Sequence, residues 1–68
     1  MMEFIDVLKD IMIELGLNQT DLAKRIGIKQ SQVSEWLKGK SKPGYDNIKL
    51  LCTKLNVSAD RILGLDEV

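Results

Sequence analysis

In the stretch KQSQVSEWLKGK, residues 29–40, Ser31, Ser34, Glu35 and Lys38 recur at three- and four-residue steps, with Val33, Trp36 and Leu37 between them. On a helix this spacing places hydroxyl, carboxylate and ammonium groups on one side and packing groups on the other. Serine is a mediocre helix former, because its hydroxyl competes for backbone hydrogen bonds. Two serines on one short helical face therefore point to a use beyond forming the helix. These groups donate and accept hydrogen bonds, so the chemistry they offer is recognition of whatever touches that face.

Bond-making chemistry lacks its parts. The 68 residues include no His and a single Cys. General-base and nucleophile arrangements are scarce without His, and no Gly-rich phosphate loop or metal constellation is present, which argues against an enzyme. One cysteine excludes an internal disulfide, and a Cys/His zinc site has no ligand set. No cofactor is expected. Cys52, in IKLLCTKL, reads as a small core residue. The alternative, a reactive thiol, has no His to activate it.

Lys and Arg number 10 and so do Asp and Glu, but they are not evenly spread. Residues 1–18 carry a net −3, residues 19–44 a net +4 and residues 45–68 a net −1. A neutral chain with a basic middle and acidic ends has a polarity, and its middle could face a polyanion.

The face just described needs elements to hold it. Phe4, Ile5, Leu8, Ile11, Met12 and Leu15 make an amphipathic helix over residues 2–15, ended by Gly16. Val7 and Ile13 lie off that stripe, so burial on more than one side is expected. Asn18 is a good N-cap for a second helix, with Asp21 in its first turn. Leu22, Ala23 and Ile26 form its inner face and Gly27 ends it. A third helix spans about Gln30 to Leu37, although Lys29 is a poor N-cap. GKSKPG is a basic turn cluster. A fourth helix runs from Tyr45 or Asp46 to Leu55, with Ile48, Leu51, Cys52 and Leu55 inside and Asn56 closing it. Ser58 caps a short last helix through Ile62 and Leu63, ended by Gly64. No strand pattern, repeat or low-complexity segment occurs.

Each residue of the second and third helices has a steric role in a helix-turn-helix. Ala23 is small where the helices cross, Gly27 allows the sharp turn, and Ile26, Ile28 and Val33 fill the wedge. The chain from Leu17 to Leu65 joins several such signals. They are L-A-x-x-x-G, a Gln opening both helices, the G-K-x-x-P loop and the closing L-x-V-S-x-D-x-I-L. In this combination it resembles the phage repressor and Cro-type helix-turn-helix family, the XRE-type regulators.

The resemblance implies an all-α, compact five-helix bundle of the lambda-repressor-like DNA-binding type. Its third helix, about residues 30–37, would lie in the major groove of double-stranded DNA, with two copies binding two half-sites as a homodimer. Gln30 and Ser31 match positions that read base edges, where Gln can pair with adenine and Ser can donate or accept. Ser34 and Glu35 share that face. Gln19 matches a residue that contacts a phosphate and braces the reading Gln. Lys38, Lys40, Lys42 and Asn47 match backbone-contacting positions, and Lys29 flanks the reading helix with them.

Several alternatives stay open on the residues themselves. Gln30 and Ser31 could be a solvated first turn. Glu35 could accept from cytosine N4, serve as a plain surface acid, or repel phosphate. Trp36 could stack on a base, but its place beside Val33 and Leu37 favours core packing. Tyr45 could reach a phosphate or only pack. Ile62, Leu63, Leu65 and Val68 could form a small dimer interface or merely seal the core. The sequence also departs from the family. An Arg in the first helix and a Glu before the loop often pair there, whereas this chain has Met12 and Leu37, which should lie together in the core. The first helix also lacks the family's usual basic residues.

One domain over residues 1–68 fits the length. No apolar run approaches the ~18 residues of a membrane span, and the acids in MMEFIDVLKD are unlike a signal peptide, so a cytoplasmic setting is expected. A bundle this small is not expected to hold a small-molecule ligand. The leading reading is a repressor-like DNA-binding regulator. The competing one is an antitoxin- or adaptor-like interaction module whose contact surface is the apolar, acidic first helix.

Overall fold

Apolar side chains returning every three to four residues fix the first helix, α1, Phe4–Leu15. The computed structural model describes residues 3–65. After α1 come α2 (Gln19–Ile26), α3 (Gln30–Leu37), α4 (Tyr45–Leu55) and the short α5 (Ala59–Ile62). The described residues hold no strand, and their extents are 32 × 24 × 22 Å. This is the all-α five-helix bundle that the motifs imply.

Local chemistry sets the boundaries. Asn18 accepts from the Asp21 N–H at 2.8 Å, and the Asp21 carboxylate accepts from the Asn18 N–H at 3.4 Å. This reciprocal capping box starts α2 cleanly. Gly27 then takes φ 80°, a left-handed backbone that an L side chain resists, and the Ile28 N–H returns to the Ala23 carbonyl at 3.0 Å. That turn aims α3 across α2. Gly39 plays the same part after α3, at φ 76°, with the Lys40 N–H on the Glu35 carbonyl at 2.9 Å. Asn56 closes α4 at φ 55°, and the Ser58 hydroxyl accepts from the Arg61 N–H at 3.1 Å to start α5.

The core draws on every helix. Val7, Leu8, Ile11 and Met12 of α1 meet Leu22, Ala23 and Ile26 of α2, Val33 and Trp36 of α3, Leu51 and Leu55 of α4, and Ile62 of α5. No polar or charged side chain is buried among the described residues. Each large apolar side chain so buried stabilises the fold by about 1.5–3 kcal/mol relative to exposure. Such burial is what holds a chain of this size together.

Burial beyond the stripe of α1 is found at Val7, which lies in the core. Four expectations need correction. Ile13, the other apolar residue off the stripe, is 78% exposed. Leu15, on the stripe, is exposed as well, at the C-terminal end of α1. Ile48 and Cys52 are half-buried flanks of the core rather than its interior. α5 stops at Ile62, and Leu63 follows as an exposed cap.

Candidate nucleic-acid interface

α3 presents its polar side because its other side is held. Val33 and Trp36 are fully buried, and Leu37 packs against the core. A helix of eight residues has little stability alone, so this burial keeps it formed and oriented. Trp36 is thus a core residue, its ring edge-to-face with Phe4, which removes base stacking from its roles.

Gln30 and Ser31 open α3 and are exposed. Ser34 is half-buried one turn later, and Glu35 is exposed beside it. The Glu35 carboxylate lies 3.5 Å from the Ser41 hydroxyl, which donates to it and draws it toward the loop. At this length the contact is weak, and it leaves the Glu35 carboxylate able to accept elsewhere. Lys29, Lys38, Lys40 and Lys42 are all exposed around α3. Lys42 also lines a cleft with Glu3, Phe4 and Pro43, which sets its stem against the first turn of α1.

No side chain caps the start of α3 at Lys29 or of α4 at Gly44. Backbone N–H groups there are left for another acceptor, and a helix N-terminus favours an anion. Asn47, half-buried, lies in the first turn of α4. Tyr45 is 76% exposed, and the Lys49 ammonium sits 5.3 Å from its ring centroid. Lys49 was not singled out from the sequence, although its i, i+4 spacing from Tyr45 carries the signal.

Gln19, half-buried at the start of α2, lines an open cleft of about 590 Å3 with Met12, Ile13, Leu17 and Leu37. Met12 and Leu37 do lie together, Met12 buried and Leu37 half-buried, at the edge of the core rather than deep within it. On the far side, Leu63 and Leu65 are exposed after α5; Val68 lies outside the described residues. Neither the cleft nor its openness is legible in the spacing of its residues. No helix among the described residues is long and apolar enough to cross a membrane.

Comparison with known proteins bears on this arrangement. The model of the helix-turn-helix family matches residues 8–62. The HTH-type transcriptional activator BcrR of Enterococcus faecalis is 27% identical over 67 residues, which make up 98% of this chain and 33% of that protein. A solved transcriptional regulator from Listeria innocua is similar at a TM-score of 0.80 and 25% identity, over 97% of this chain and 63% of its own. The chain therefore spans about a third of that curated relative and less than two thirds of that solved one. Because the match takes in the capped α2, the left-handed turn at Gly27 and all of α3, the chain belongs to the XRE-type helix-turn-helix family.

Proposed function

We propose that this domain binds double-stranded DNA sequence-specifically and regulates transcription, with α3 in the major groove. The observation that carries the reading is the division of α3: Gln30 and Ser31 exposed, Val33 and Trp36 sealed beneath them. A rigid helix with amide and hydroxyl groups outward suits the donor and acceptor pattern of the major groove. Gln30 and Ser31 read base edges, Ser34 reaches a later base, and Glu35 supports the loop or accepts from cytosine. Gln19, Lys29, Lys38, Lys40, Lys42, Tyr45 and Asn47 hold phosphates, and the uncapped starts of α3 and α4 add backbone N–H groups to that task. Family membership and the names of the two regulators it resembles support the same reading.

Two copies on a near-palindromic operator would hinder or guide polymerase. The exposed Leu63 and Leu65 favour a homodimer contact through the segment after α5. Selection of bound duplexes from a random pool tests the proposal. An enriched motif repeated as two half-sites about one helical turn apart is expected. Pools that enrich no motif would overturn it.

A further inference from the structure

Two rows of side chains run side by side along α1. Asp6, Asp10 and Glu14 recur at four-residue steps, and so do Ile5, Lys9 and Ile13. On a helix each such set stacks along one side. The two rows meet different parts of the bundle. Glu14 pairs with Arg61, which turns the acidic row toward α5. The other row turns toward α3 and α2. At one end a Cβ on Gly39 would meet Ile5 Cδ1 at 3.4 Å, so Ile5 backs the loop between Lys38 and Lys40. At the other end Ile13 lines a cleft with Gln19 and Leu37. Lys9 stands between these ends, exposed, and lines the same cleft.

Lys9 is the one cation of α1, and it falls on the row that meets α3 and α2. Among the described residues no carboxylate pairs with its ammonium. Its aliphatic stem can lie along the cleft while the charge stays in water. An exposed lysine is ordinary, and the position is what distinguishes this one. Gln19 bounds the cleft on one side, and Leu37, the residue before Lys38, on the other. Both Gln19 and Lys38 belong to the phosphate-holding set proposed above. A cation in the gap makes that surface continuous from the loop after α3 to the start of α2. We propose that Lys9 holds a DNA phosphate, so that the DNA-contacting surface extends from α2 and α3 onto α1. This inference rests on α3 reading duplex DNA. Lys9 contributes affinity and not base choice, because a phosphate contact carries no sequence information.

Binding isotherms over a range of salt test it, with Lys9→Gln, Lys9→Arg and Lys38→Ala on preferred and random duplexes. Lys9→Gln is expected to weaken both duplexes about three- to tenfold in dilute salt, and to flatten log affinity against log salt by about one unit. Lys9→Arg keeps the charge and should keep the slope. Melting should be unchanged, because Lys9 is exposed. Duplexes with one methylphosphonate at a time then locate the contact. Neutralising one phosphate should weaken the parent and leave Lys9→Gln unaffected, at a different phosphate from the one that Lys38→Ala ignores. A flattened slope in Lys38→Ala beside the parent's slope in Lys9→Gln would overturn the Lys9 contact and leave the α3 reading standing. Parental slopes in both variants would overturn that reading as well. A Lys9→Gln variant that stays sensitive to every phosphate, or loses affinity at an unchanged slope, would also overturn the contact, since Lys9 would then act through the bundle.

Discussion

Phe4 and Trp36 meet edge to face, with ring centroids 6.0 Å apart and planes at 81°. One ring lies in the first turn of α1 and the other in the last turn of α3, so the pair fixes one end of the recognition helix against α1. Phe4→Ala removes that brace from a half-buried position. A loss of about 2–3 kcal/mol is expected, at or below the range for deleting a buried Phe. Phe4→Leu keeps most of the volume and loses chiefly the ring–ring term, about 0.5–1.5 kcal/mol. Urea unfolding distinguishes them. A Phe4→Leu variant as stable as the parent would show that the edge-to-face geometry contributes nothing.

Gly39 holds the loop after α3 in a left-handed turn at φ 76°, and a Cβ there would lie 3.4 Å from Ile5 Cδ1. Gly16 ends α1 at φ 67° with open space around it. Gly16→Ala therefore measures backbone strain alone, about 1–2 kcal/mol. Gly39→Ala should exceed it by several tenths of a kcal/mol, because Ile5 must yield (about one overpacked contact's share). In an Ile5→Val background that excess should vanish. Thermal melts of the four variants read the difference, and an excess that survives Ile5→Val would remove the contact as its cause.

Much of this was legible because it is written locally. Asn18 and Asp21, Gly27, Asn56 and Ser58 each act within a few residues of where they stand, and the helix ends they mark follow from short-range chemistry. Trp36 was legible too, since Val33 and Leu37 declare its side of α3. The failures are tertiary. Val7 and Ile13 are equally apolar and both off the stripe of α1, yet one is buried and the other stands in solvent. Which flank is covered depends on where α2 to α5 lie, and periodicity holds no record of that. The tie between Glu35 and Ser41 and the cleft at Met12 and Leu37 arise in the same way, from elements that meet only in the fold.

Arg61 of α5 and Glu14 of α1 form an ion pair across the bundle, with both side chains partly exposed. Pairs in such water-accessible positions contribute about 0–1 kcal/mol and weaken with salt. Glu14→Gln should therefore lower stability by less than about 1 kcal/mol in dilute buffer, and by almost nothing in 1 M salt. Denaturation at the two salt levels checks this. A loss that stays constant with salt would show that charge attraction is not what the pair contributes.

The proposed division of labour around α3 separates by two substitutions. Gln30 stands exposed in its first turn and Lys38 exposed at its C-cap, so both can be changed without touching the core. Gln30→Ala removes a base contact, so the preferred duplex should lose about 1–3 kcal/mol and discrimination at that base pair should relax. Lys38→Ala removes a phosphate contact. It should weaken preferred and random duplexes alike, and flatten the plot of log affinity against log salt by about one unit. Binding isotherms over a range of salt on both duplexes give both quantities. Preserved base preference in Gln30→Ala would displace the reading face from the start of α3. An unchanged salt slope in Lys38→Ala would detach that lysine from the DNA backbone.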